Sequence, residues 1–560
     1  MQVNRRAVMG GAIVAASLAS AASAKSWKSG GGRAQSKALS RLQNYADQHC
    51  ADWGLPGMTA CMVDREGFAG FVASGLADVD KKIPVGPDHL FHIGSITKMM
   101  TSLAAWSLID EGKLSPDARL AELMPEISVR GGEEITLQQL LNHNSGLPNG
   151  APLFMDGGLW TGSAPGTYWA YSNTGYRIAG KIIERVDGRL FPEVLEARVL
   201  RPIGMTHSEG ALRKIDRPRH AQGYEPVLFD RPHARPGPVT AAPWVDYDGG
   251  AGCVAATVGD MALFLRFLID LAGGKGGAVF SDETAVRFMT DPAPAPGWDE
   301  TAKYGNGIAR IELDGRAYLH HTGGMVSFSS SLHVDPQAGV AAFASSNIHY
   351  AHNYRPRDVS HYACGLLRAA KESAEPPVPK PTKPEVKNPT QFSGAYIAEN
   401  GDSFEVVATE NALAVSRNDR VSKMQPIGGA YFVCDDPVFD EAGLEFEIEN
   451  DKAVRAWSGG VEYLVDPSKG YISVPQDVKA LEGLYDSDDR WGLPSRVYAR
   501  GDKLCVKNAN YIETLTRLDN ENWRPGSDAQ TAEWIRFDSM INGKPQRMIG
   551  SGEVQLRRFS

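Results

Sequence analysis

The chain has 560 residues, room for about three or four domains. It carries a net charge of −9, so it has no basic excess with which to build a nucleic-acid surface. Glycine and proline make up about one residue in six, too little for a fibrous or disordered chain. Six cysteines in this length exclude a small disulfide scaffold.

At the N-terminus Arg5 and Arg6 precede a mildly apolar stretch over 7–20, and Ala22-Ser23-Ala24 offers a small-residue cleavage site. This pattern predicts an export signal over 1–24. Its paired arginines and its Ala- and Gly-rich stretch resemble a twin-arginine signal, which implies a periplasmic protein. No later apolar run approaches the ~20 residues of a membrane helix. Cys61, Cys253, Cys364, Cys434 and Cys505 lie in apolar or strand-like contexts, and Cys50 ends a helix-like run. A fold completed in a reducing cytosol before export predicts mostly buried thiols, with room for one disulfide.

Residues 36–372 mix strand and helix patterns. Strands are expected over 58–63, 68–73 and 339–345, and helices over 95–112, 135–142 and 175–186. Strands at both ends with helices between predict an α/β sandwich closed by its termini. Six prolines then crowd the stretch 373–391 among Lys and Glu, which reads as a stiff, extended, solvated linker. Beyond it short strands alternate with turns. Phe392-Ser393-Gly394-Ala395-Tyr396 matches Leu481-Glu482-Gly483-Leu484-Tyr485, 89 residues on, while Leu413 and Phe446 match Leu504 and Phe537 at an offset of 91. Two β units, over 392–475 and 476–560, are expected, each closed as a small antiparallel barrel.

Three short motifs carry the chemistry. Ser95-Ile96-Thr97-Lys98 opens the first long helix, where residues three apart share a face. A buried Lys98 can lose its proton and take one from the Ser95 hydroxyl. Tyr171-Ser172-Asn173 supplies a phenol able to shuttle a proton and an amide able to hold a carbonyl. His321-Thr322-Gly323-Gly324 follows a strand, and its glycine pair would let a substrate backbone approach the strand edge.

In this order the three motifs resemble the serine β-lactamase and penicillin-binding-protein family. The resemblance extends over about 40–365, through Leu140-Leu141-Asn142-His143-Asn144-Ser145-Gly146-Leu147-Pro148, Pro202-Ile203-Gly204-Met205 and Gly249-Gly250-Ala251-Gly252. It implies a β-lactamase-like sandwich of an antiparallel sheet with helices over 36–372. It makes Ser95 an acylated nucleophile, with Lys98 and Tyr171 sharing base and proton-relay duty. Asn173 would bind the substrate amide, and the N–H groups of Ser95 and Gly324 would form an oxyanion hole. His143 lies in a structural segment of the family. No metal or other cofactor is implied.

His321 stands where β-lactamases carry lysine, so weak recognition of a penicillin carboxylate is expected. The D-aminopeptidase branch carries His here and adds two barrels, the last of which sends an acidic loop to the substrate amine. By that resemblance Asp486, Asp488 and Asp489, followed by Trp491, are the candidates. The implied activity is acyl-enzyme hydrolysis of peptide amides containing D-residues, as in D-aminopeptidases or the peptidases of linearised microcystin. An esterase, a β-lactamase or D,D-carboxypeptidase, and a non-enzymatic penicillin or muropeptide sensor are the alternatives. The expected partner is a small peptide substrate, with no nucleic acid and no membrane span; a homodimer is left open.

Overall fold

The computed structural model describes residues 25–558 apart from 229, 291, 350–353, 384, 488–491, 509–511 and 520. The stretch 1–24 predicted as an export signal lies outside the described residues. Among the described residues no helix is long and apolar enough to cross a membrane.

A ten-stranded antiparallel sheet organises the first two thirds of the chain. Strands β1 (Lys25–Ser29), β2 (Gly57–Asp64) and β3 (Ala69–Asp78) come from its start. Strands β4 (Ile308–Leu313), β5 (Arg316–Met325), β6 (Phe328–Asp335) and β7 (Val340–Ser346) come from its end. The order is β1-β3-β2-β7-β6-β5-β4, with short strands beyond β4. The two groups meet where Ala60 of β2 lies opposite Ala344 of β7, so the sandwich is closed by its termini.

Every residue of β2, β6 and β7 is buried, because helices cover both faces. Alternation sorts the side chains. Ala60 and Met62 of β2 face helices α1 (Arg33–Trp53) and α5 (Arg357–Glu372). Cys61 and Val63 face the side holding α2 (Thr97–Asp110), α3 (Asn173–Asp187) and α4 (Val258–Ala272). Helix α1 buries Leu39, Leu42, Tyr45, Ala46 and His49 at helical spacing, and Gly54 ends it in the left-handed region at φ 65°. Helix α2 is buried all round from Thr97 to Ile109. The helix expected over 135–142 contracts to Leu137–Leu141, started by a capping box between Thr136 and Gln139.

Two closed eight-stranded antiparallel barrels follow, Gly394–Ala398 to Val461–Leu464 and Gly483–Asp486 to Glu553–Arg558. Alternate residues point inward, such as Phe404 and Val406 in the first and Val497 and Ala499 in the second. The proline-rich stretch between sandwich and barrels is not free in solvent. Tyr45 donates to the Lys380 carbonyl at 3.1 Å, and Lys380 and Lys383 pair with Asp358 and Asp52. The stretch is thereby pinned along α1 and α5.

A charged junction ties three parts together. Asp230 of the sandwich pairs with its neighbour Arg231 and with Arg496 of the second barrel at 2.7 Å. Asp440 of the first barrel accepts from Arg231 at 3.0 Å, and Glu441 accepts from Arg496, also at 3.0 Å. All six cysteines are free and buried.

Candidate active site

The chain reaches Ser95 through a forced turn. Gly94 adopts φ 53°, and a Cβ there would lie 2.6 Å from the Gly324 nitrogen. Only glycine permits both the left-handed backbone and that approach. Gly94–Ile96 form one 3₁₀ turn that leads into α2, leaving Ser95 partly exposed at the helix entrance. Gly323 is required for a similar reason. A Cβ on it would meet the Ile93 carbonyl oxygen at 1.8 Å, so the space reserved there serves the chain's own backbone rather than a substrate.

Lys98, one helical turn on, is fully buried. Its Nζ lies 3.1 Å from Ser95 Oγ, 2.6 Å from Asn173 Oδ1 and 2.8 Å from the Ala251 carbonyl oxygen. All three partners are uncharged, and burial pushes the amine well below its usual range. A neutral amine has two N–H donors and one lone pair. The amide and carbonyl oxygens can only accept, so they take the two donors. In that neutral form the lone pair is what remains for the hydroxyl of Ser95.

The Tyr171 ring lies 4.9 Å from Lys98 Nζ. Burial raises its phenol above the usual range, so it stays protonated, while the nearby Ser95 hydroxyl favours its ionisation. Ser172 caps α3 by accepting from Gly175 N–H and donates to the Pro148 carbonyl. His143, at φ 61°, accepts from Ser172 N–H at 3.0 Å through Nδ1, and burial keeps it neutral. It braces the Tyr171 turn. Asn173 gives Oδ1 to Lys98, while one Nδ2 hydrogen goes to Asn149 Oδ1 at 2.9 Å. The other hydrogen remains for the cleft.

His321 lies inside a strand, Arg316–Met325, rather than after one. It is fully buried on β5, with the Trp298 ring 4.9 Å from its own. Its Nδ1 lies 2.6 Å from the Thr322 carbonyl oxygen, which can only accept, so Nδ1 holds the proton. Burial pushes the imidazole well below its usual range. Nε2 therefore accepts from the Tyr304 hydroxyl at 2.9 Å. His321 is an uncharged brace behind Tyr171 and cannot greet a substrate carboxylate. The positive charge at this end comes from Arg355, which sequence reasoning missed. A Cβ on Gly324 would lie 2.5 Å from Arg355 Nη2, and its charge favours ionisation of Tyr171.

Asp486 ends the first strand of the second barrel, and its carboxylate pairs with Arg558 of the same barrel at 3.1 Å. Asp488, Asp489 and Trp491 lie outside the described residues. A different segment of that barrel, 526–534, packs on the rim. Trp160 donates to the Ala532 carbonyl at 2.8 Å, and Tyr168 donates to Asp528 at 2.6 Å. Asn149 N–H donates to Glu533 Oε1, also at 2.6 Å.

The sequence pattern of the beta-lactamase family matches residues 42–365, more than half of the chain and the whole of this centre. The chain belongs to the beta-lactamase family. Its members are serine hydrolases. Within the family, penicillin-binding protein 4 of Amycolatopsis lactamdurans is 27% identical over 322 residues, 52% of this chain and 81% of that protein. The D-aminopeptidase of Gluconobacter oxydans is 27% identical over 280 residues, 46% of this chain and half of its own length. Among solved structures, the octameric penicillin-binding protein homologue from Pyrococcus abyssi superposes with a TM-score of 0.54 at 22% identity. It covers 76% of this chain and 99% of its own, a likeness of fold.

Proposed function

We propose that this family member hydrolyses amide bonds of peptides containing D-residues through an acyl-enzyme on Ser95. The observation that carries the reading is the buried Lys98, whose two donors are taken by Asn173 and Ala251 and whose lone pair meets Ser95 Oγ at 3.1 Å. Ser95 gives its proton to Lys98 as Oγ bonds to the substrate carbonyl carbon. The resulting oxyanion sits between the N–H groups of Ser95 and Gly324, each worth about 3–4 kcal/mol in such a site. Asn173 holds the substrate amide with its remaining hydrogen. The proton passes through Tyr171 to the departing amine, and water then cleaves the ester. No metal or cofactor takes part in these steps.

The D-aminopeptidase relative supports the substrate class. Arg355 favours a second reading, a D,D-carboxypeptidase or β-lactamase whose substrate carries a carboxylate at the Gly324 end. Residues 1–24 would export the protein to the periplasm. The decisive experiment is intact mass after a fluorophosphonate and after matched D- and L-alanyl amides, with an ester and a cephalosporin alongside. Wild type gains one adduct and Ser95→Ala gains none while keeping its unfolding temperature. Labelling that survives the substitution removes the serine mechanism, and equal turnover of D- and L-amides removes the stereochemical part.

A further inference from the structure

We propose that Glu533, in the second barrel, is a positioning residue for the catalytic centre: through Asn149 it sets the orientation of the Asn173 amide that holds Lys98. The inference rests on the reading above only in taking Ser95 and Lys98 as the reacting pair.

The connection is continuous. Glu533 Oε1 accepts the Asn149 N–H at 2.6 Å, and its other oxygen accepts from the Ser551 hydroxyl. Asn149 then serves α3 with every other polar group it has for accepting. Its carbonyl takes Thr174 N–H at 2.9 Å, and its Oδ1 takes both the N–H and the Nδ2–H of Asn173, at 3.1 and 2.9 Å. Asn173 is left with Oδ1 toward Lys98 at 2.6 Å. A primary amide can turn over, exchanging its oxygen for its NH₂ at little cost in shape. Turned over, Asn173 would offer Lys98 a donor where the amine needs an acceptor. The Asn149 contact forbids that, because Asn149 Oδ1 accepts only from the nitrogen side.

Asn149 itself sits in an irregular segment outside helix and strand. The grip on its N–H is therefore decisive for where its side chain points, and a carboxylate grips more strongly than a neutral acceptor. Glu533 is also held rigidly. Its loop is fastened to the rim by Trp160 and Tyr168, and Gly162 lets the loop backbone approach so closely that a Cβ would lie 2.4 Å from the Ala532 nitrogen. The second barrel thus contributes a fixed oxygen to a chain of hydrogen bonds that ends on the general base.

The test measures the second-order rate of Ser95 acylation by a fluorophosphonate, which needs no knowledge of the natural substrate. Glu533→Ala is expected to lower that rate by at least about tenfold. Glu533→Gln keeps an acceptor and should stay within about threefold of wild type. In an Asn149→Ala background, Glu533→Ala should cost nothing further, since both act on one link. Should Glu533→Ala lose the barrel's unfolding transition, Glu533→Asp takes its place; it keeps the charge but falls one methylene short and should slow acylation equally. A folded Ala or Asp variant that acylates like wild type overturns the proposal, as does full additivity with Asn149→Ala. Wild-type protein that is never labelled at Ser95 counts against the serine mechanism instead, so the two failures are distinct.

Discussion

In the first barrel Tyr396 donates to the Phe392 carbonyl at 2.7 Å and its ring meets Phe446 edge-on at 5.4 Å. In the second, Tyr485 donates to the Leu481 carbonyl at 2.7 Å and meets Phe537 at 5.6 Å. The interiors are built on one plan. The outer contacts are not. The first barrel touches the sandwich through Asp440 on Arg231 and through Gln425 on Arg235. The second shares that junction through Arg496 but also places 526–534 on the rim beside Asn173. A repeated core preserves shape, and its loops then take up different work.

The widest gap between the barrels should appear when each contact is loosened. Gly162→Ala pushes on the Ala532 backbone and should slow Ser95 acylation at least about tenfold, whereas Gln425→Ala should leave it unchanged. Stopped-flow labelling of the two variants reads this directly, and equal rates would erase the distinction. A finer separation lies in the pH profile. Lys98 must be unprotonated to accept a proton, and burial lowers its pKa, so acylation should fall as pH drops through that lowered value and level off above it. Because the burial arises within the sandwich, Gly162→Ala should lower the plateau without moving the acid limb. A displaced limb would make the second barrel part of the desolvation. The smallest effect tests the likeness. Tyr396→Phe and Tyr485→Phe each remove the buried hydrogen bond to the carbonyl four residues back, worth about 1 kcal/mol, and should lower their barrels' unfolding transitions by about 4–8 °C in calorimetry, Tyr485→Phe slightly more because its hydroxyl also accepts from Arg557.

Much of the molecule was legible in the sequence. Ser95 and Lys98 lie three apart on one helix, so their meeting follows from helical geometry alone. The barrels were legible because Tyr396 and Tyr485, with Phe446 and Phe537, repeat at nearly constant offsets. What escaped depends on docking. Asn149 and Glu533 are 384 residues apart, and no local pattern marks either. The acid-rich run at Asp486 drew attention by density, yet the described part of it pairs with Arg558. Tyr304 and Trp298, which enclose His321, come from the short strand Lys303–Gly305, two strands away in the sheet, and from the loop before it. Arg355 lies just before α5, and no local pattern marks its nearness to Gly324. The proline-rich stretch has the composition of a stiff, solvated linker, and only the fold reveals Tyr45 and Asp358 as its contacts.

The hydrogen bond between Asn149 and Glu533 also sets an order of events. A ribosome delivers Ser95 early and Glu533 more than 430 positions later. Until position 533 is made, the segment that carries Asn149 lacks this partner. A chain cut between the sandwich and 526 would hold Ser95 without the Glu533 contact on Asn149. On the role proposed for Glu533, the second barrel would work as a late-made brace for a centre that the sandwich alone contains.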